Sequence, residues 1–186
     1  MSANRLSLPS NGSGLPVNDA GVLKPTLPPA NAIVRAPLSG PVHDLVTLTY
    51  HERMIRRKRL VTAHDESFVV DLAETLSLDH GDGFVLTDGR LIEVMAAPEA
   101  LMRVTGDLPR LAWHIGNRHA PCQIGPDALI IQADKVLRGM LAGLGATVTD
   151  ITAPFTPDGG AYGHGRTLGH GHAGHAHGPA TEPHDH

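Results

Sequence analysis

Aromatic residues are scarce in this chain: one Trp, two Tyr and three Phe among 186 residues. Stacking on single-stranded bases needs an aromatic platform, so nucleic acid is not an expected partner. A dominant charge is lacking as well, with 15 Lys and Arg against 19 Asp and Glu, a formal net charge of -4 and a pI near 6.3. That balance exerts no global attraction on nucleic acid or anionic lipid. Cys122 is the single cysteine, which excludes an intramolecular disulfide and agrees with a reducing compartment. No apolar run approaches the roughly 18 residues that cross a bilayer, and the N-terminal stretch lacks the basic start and continuous apolar segment of a secretory signal. The expectation is a soluble, cytoplasmic protein with no membrane partner.

Histidine, by contrast, is abundant and unevenly placed. Seven of the 13 histidines fall in the last 23 residues: His164, His170, His172, His175, His177, His184 and His186, spaced mainly by Gly, Ala and Pro. Imidazole is the commonest protein ligand for borderline divalent ions, and small spacer residues let several rings converge on one ion. An affinity tag is usually an uninterrupted histidine run, whereas Gly-His-Gly-His at 169–172 is interrupted. The tail therefore reads as a flexible metal-binding segment over 156–186, although it names neither the ion nor its use.

Residues 1–41 hold seven of the 15 prolines and only four charged side chains, without a repeating apolar pattern, and read as a disordered arm. Short strands with turn signals follow over 42–97, at 45–50, 54–62, 68–72, 84–86 and 90–95, which suggests a small β domain that binds a partner or peptide. Arg53, Arg56, Arg57, Lys58 and Arg59 crowd one stretch of it and read as a solvated strand face, with an acidic partner as the alternative. His43, His51, His64 and His80 sit beside turn residues and read as ordinary surface histidines. From Pro98 the period changes. A strand at 100–105 precedes Gly106-Asp107, a helix start for the Leu108, Leu111, Ala112, Ile115 stripe. Extended pieces at 121–124 and 128–132 flank Gly125-Pro126-Asp127; a second helix runs from Ala133 to Leu144 and stops at Gly145; a last strand covers 147–153. The order β-α-β-β-α-β over 98–155 predicts a ferredoxin-like arrangement, so the fold class is α+β: a small β domain followed by a ferredoxin-like domain.

Within the second unit, Trp113-His114-Ile115-Gly116-Asn117-Arg118-His119 closes the first helix. His119 continues the four-residue row of Leu111 and Ile115, which predicts that it projects on the packed side of the helix. Taken singly it is either a capping residue or a metal ligand. One histidine becomes two when it lies near the two-fold axis of a homodimer, and mobile tails can supply further ligands.

The segment 113–119, then Pro121-Cys122-Gln123-Ile124, Asp134 with Val136-Leu137, Pro154-Phe155-Thr156-Pro157 and Gly160-Ala161-Tyr162 ahead of a His-rich tail, resembles the UreE family of urease accessory proteins from about Val42 onward. The resemblance implies a homodimeric nickel metallochaperone that delivers nickel to an apo-urease complex together with the accessory GTPase. It implies nickel ligands at His119 and in the tail, with His114 as a further motif histidine. Zinc or copper would substitute in vitro. Many relatives carry histidines flanking the aspartate at the second helix, where this chain has Gln132, Ala133 and Lys135, so weight falls on His119 and the tail. Cys122 reads as a small buried hydrophobe. Ligand exchange at a site of few imidazoles permits transfer to a partner's ligands one at a time, and imidazole protonation weakens it as pH falls. No nucleotide-binding loop is present. The alternatives are a nickel or zinc storage protein acting through the tail alone and a metal-dependent hydrolase; the folded part offers no close set of carboxylates and histidines for the latter, so no enzyme is expected.

Overall fold

The computed structural model describes residues 26–159. The expectations for the first 25 residues, and for residues 160–186 with the seven tail histidines, fall outside the described residues; Thr156 and Asp158, expected in a flexible tail, are instead hydrogen-bonded to the strand at 122–124. The described chain is α+β, with two sheets and two short helices.

The first sheet has the order β2-β6-β5-β1-β4-β3, built from β1 (Ala30–Val34), β2 (Val42–Leu48), β3 (Met54–Val61), β4 (Ser67–Ser77), β5 (Gly83–Leu86) and β6 (Leu91–Ala96). Alternation places one face of each strand inward: Val46 and Leu48, Phe68 and Val70, Phe84 and Leu86, Ile92 and Val94 share one core, with Phe68 and Phe84 edge to face. β1 corrects the reading of 1–41 as an arm. Ala30 is buried, β1 pairs with β4 in parallel and with β5 antiparallel, and the Leu27 N–H donates to the Ser67 carbonyl at 2.7 Å. A five-residue strand between Pro29 and Pro37, with only Ile33 and Val34 as strong β formers, carries little local signal; its partners supply the order.

The second sheet, β10-β7-β9-β8, is antiparallel throughout and combines β7 (Pro98–Thr105), β8 (Cys122–Ile124), β9 (Leu129–Gln132) and β10 (Thr147–Pro154). α1 (Leu108–Gly116) follows β7 and α2 (Lys135–Gly143) follows β9. Met102, Val104, Leu129 and Ile131 share one core cluster with Leu111, Ile115 and Leu141, so both helices cover the same sheet face. Ala133, read above as helical, precedes α2: Asp134 caps it by accepting the Leu137 N–H at 2.7 Å.

The opposite face of the second sheet meets the β domain. Leu101 and Phe155 pack with Tyr50, whose ring lies edge to face with Phe155 at 5.3 Å. Arg53 corrects the reading of the basic run as wholly solvated. It is 1% exposed, its guanidinium donates to the Phe155 carbonyl, and it stands 5.7 Å from the Tyr50 ring centroid. Burial lowers its pKa, opposed by the charges of Asp79 and Glu99. Arg56, Arg57, Lys58 and Arg59 remain exposed on the edge strand β3, where charge discourages edge-to-edge pairing. Gln132 completes the joint, donating to Glu99 at 3.0 Å and lying 3.1 Å from the His51 ring.

Candidate metal centre

α1 begins and ends by local chemistry. Asp107 accepts the Arg110 N–H at 3.4 Å, and Pro109 sits in the first turn, where its missing N–H leaves nothing unsatisfied. Leu111 and Ile115 are fully buried, as the stripe predicts. At the far end the Asn117 N–H still reaches the Trp113 carbonyl at 2.9 Å, and then the turn tightens. The His119 N–H donates to the Gly116 carbonyl at 2.9 Å, and the Ala120 N–H to the Ile115 carbonyl at 3.4 Å. These nested bonds form a Schellman closure, in which the residue just past the helix takes the left-handed conformation. His119 does so, with φ 55°.

This placement corrects the expected position of His119. The helical row of Leu111 and Ile115 ends with α1 at Gly116, so His119 does not project onto the packed side; it is exposed on the turn beyond. Among the described residues, no hydrogen bond or ion pair engages its ring. α2 closes in the same way: the Gly145 N–H reaches Ala142 and the Ala146 N–H reaches Leu141, each at 3.0 Å. There the left-handed residue is Gly145, φ 83°, the residue for which that conformation carries no side-chain penalty.

His114 is half-buried on the last turn of α1, its ring edge-on to Trp113 at 4.9 Å, and its carbonyl accepts the Arg118 guanidinium at 3.1 Å. Cationic groups there complement the negative helix terminus. Cys122, three residues beyond His119, is half-buried; burial, aided by the charge of Asp158, pushes its thiol up to about 11. It stays a thiol at neutral pH in the metal-free protein, in keeping with a packing role. Asp134, between Gln132 and Lys135, is committed to capping α2. Among the described residues, no three His, Cys, Asp or Glu side chains gather closely enough to hold an ion. The other histidines have local partners: His43 lies 3.0 Å from Glu66, and His64 2.9 Å from Asp44. Among the described residues, no helix is long and apolar enough to cross a membrane.

Sequence reasoning missed two participants in this region. Asp158 and Gln123 tie the chain beyond β10 to β8 through contacts about 35 positions apart, which no local pattern announces.

Comparison with known proteins yields two family matches. The N-terminal domain of the UreE urease accessory protein matches residues 26–97, and its C-terminal domain matches residues 92–186. The urease accessory protein UreE of Ruegeria pomeroyi is 62% identical over 130 residues, covering 69% of this chain and 87% of its own length. That of Cereibacter sphaeroides is 60% identical over 134 residues, 72% of this chain and 74% of its own. The Paracoccus denitrificans protein is 55% identical over 142 residues, 76% and 90% respectively.

Proposed function

The chain belongs to the UreE family of urease accessory proteins, and from that premise we propose that it is a cytoplasmic nickel metallochaperone, not an enzyme, that takes part in urease maturation. It delivers nickel to apo-urease within the accessory complex that includes the GTPase, the ion being held by His119 at a homodimer interface and fed by the histidine tail. The carrying observation is the exposed His119 ring, engaged by no hydrogen bond or ion pair among the described residues and held in a left-handed closure where glycine is the easier residue.

One imidazole does not make a nickel site, and a two-fold axis near His119 would bring a second. The tail histidines His164, His170, His172, His175, His177, His184 and His186 supply further donors, and His114 lies close enough along the chain to assist. Neutral imidazoles with open coordination positions allow stepwise transfer: a partner's ligand enters, a tail ligand leaves, and His119 is displaced last. Metal competes with protons for the rings, so acid releases it.

We read residues 98–155 as the ferredoxin-like metal-binding domain, supported by the β-α-β-β-α-β order and the strand order β10-β7-β9-β8. Residues 42–97, extended back to β1, are the partner-binding domain, and Thr156 and Asp158, bonded to β8, move the start of the tail beyond 158. The storage reading keeps one observation in its favour, the lack of a ligand trio among the described residues, which leaves the tail as the richest donor set.

Reconstituted urease activation separates them. Nickel-loaded protein, apo-urease and the accessory GTPase complex should yield active urease, with His119→Ala lowering the yield at least severalfold. Equal activation by His119→Ala and the parent, with loss only when the tail histidines become alanine, would favour storage.

A further inference from the structure

β3 is the last strand of its sheet and pairs with β4 on one side only. In an antiparallel ladder every second residue turns its N–H and C=O away from the neighbour, so the far side of β3 carries a row of backbone donors and acceptors. Among the described residues, no backbone group from Ile55 to Val61 bonds outside the ladder with β4. The open row is about 20 Å long, enough to seat one further strand.

Four cations line that row: Arg56, Arg57, Lys58 and Arg59, all exposed. Arg57 donates to Asp71 at 2.8 Å and Lys58 to Glu52 at 3.2 Å, in pairs open to solvent that hold little energy. Arg59 donates to the Ser67 hydroxyl at 2.8 Å, and among the described residues Arg56 has no hydrogen bond or ion pair. Glu74 lies in the bulge of β4 across from Arg56 without pairing to it. Arg56 and Arg59 are thus left without an acidic partner. Because Phe68 and Val70 of β4 face the core, their neighbours Val69 and Asp71 face outward, and so do Arg57, Arg59 and Val61 across the ladder. Val61 and Val69 are each 39% exposed, which adds an apolar stripe beside the two arginines.

We propose that the outer edge of β3 is a docking site for an extended acidic segment of a protein partner, which adds a strand with carboxylates opposite Arg57 and Arg59 and an aliphatic residue opposite Val61. This rests on the reading of the β domain as partner-binding and names the chemistry of the partner. Backbone bonds to the open row supply attachment, and the cross-strand side chains supply selectivity. A second copy of this chain would set its own cations against these, the like-charge pairing that a charged edge prevents. A single-stranded nucleic acid would meet the charge but not the backbone row, and β3 carries no aromatic residue on which a base could stack.

The test uses the full-length protein with a fluorescein-labelled peptide of alternating valine and glutamate, its valine–lysine and glutamate–proline counterparts, and a uridine oligonucleotide. Anisotropy gives the affinities, and amide exchange maps the site. The expected result is that the valine–glutamate peptide binds at low salt, slows exchange at alternate β3 amides between Ile55 and Val61, and binds more tightly than the other three probes. Arg57→Glu/Arg59→Glu should weaken it about tenfold, with Arg57→Gln/Arg59→Gln in between, as two cross-strand pairs are reversed or merely lost. No binding, equal binding of the glutamate–proline peptide or the oligonucleotide, or an unchanged affinity in Arg57→Glu/Arg59→Glu overturns the proposal. So do β3 amides already slow in the free protein, which would mean that another part of the chain or a second copy covers the edge. Exchange measured with the accessory GTPase complex separates this proposal from the reading beneath it. Protection within 26–97 that spares β3 overturns the edge site alone, whereas no protection anywhere in 26–97 overturns the partner-binding reading, and the edge site with it.

Discussion

His119 and Gly145 occupy the same position in the closures of the two helices, at φ 55° and 83°. Each donates its N–H to the carbonyl three residues back, and the next residue donates to the carbonyl five back. Glycine adopts this conformation freely, whereas an L residue with a side chain is disfavoured by roughly 1–2 kcal/mol. At α2 the chain uses glycine. At α1 the position is held by an exposed histidine, and among the described residues no hydrogen bond or ion pair engages its ring.

Replacing His119 by glycine should therefore raise stability by about 1 kcal/mol while removing nickel from the core site. Urea denaturation of the metal-free protein and nickel titration check the two halves. Lower stability in His119→Gly would show that the histidine is held by contacts of its own.

Gly139 and Gly145 should respond to alanine with opposite signs. Gly139 is in the interior of α2, exposed, and an added Cβ meets nothing within 4 Å. Gly139→Ala should stabilise by about 0.5–1 kcal/mol through helix propensity. Gly145 also has open space but a positive φ, so Gly145→Ala should destabilise by about 1 kcal/mol. Thermal denaturation of both variants decides; the same sign for both would contradict the assigned closure.

Phe155→Ala should cost about 3–5 kcal/mol, since the ring is fully buried against Tyr50 and Leu101 and its loss leaves a cavity. The carbonyl that holds the Arg53 guanidinium would also shift. Chemical denaturation measures the loss. A cost below about 1 kcal/mol would mean that the joint between the β domain and the second sheet collapses around the gap.

Much of this fold is legible in the sequence because its signals are local. Ile92, Val94 and Ala96 alternate along β6, and Asp107, Pro109, Leu111 and Ile115 announce α1 from its cap to its buried face. β1 is not legible, because its order comes from β4 and β5, whose paired residues lie 40 to 56 positions away. The end of α1 misleads for another reason: no glycine marks the closure, so the four-residue row runs on to His119 in the sequence while the backbone has already turned at Gly116. His119 as a candidate is legible; its left-handed conformation is not. Asp158 stays hidden because its partners belong to another strand.

Asp44 gives the protein an acid-dependent component. Burial acts to raise its pKa, but hydrogen bonds from the Thr62 hydroxyl, the His64 ring and the Leu45 and His64 backbone N–H groups outweigh it and leave the carboxyl at about 2, against an ordinary 3.8. A depressed folded-state value means that the stabilisation is fully present above the unfolded-state pKa and is lost as pH falls from about 4 towards 2. Between those limits the parent should lose stability more steeply than Asp44→Asn, while near neutral pH Asp44→Asn is the weaker protein by about 1–3 kcal/mol. Denaturant midpoints measured across pH 2 to 7 give the comparison, and parallel curves would contradict it.

Nickel titration calorimetry of the full-length chain, with all seven tail histidines replaced by alanine, addresses the core site most directly when paired with the same chain carrying His119→Ala. An interfacial delivery site predicts one tight nickel per two chains in the first protein and none in the second. No nickel in either protein, or the same nickel in both, would contradict it, and the first of these would leave the tail as the place where metal is held.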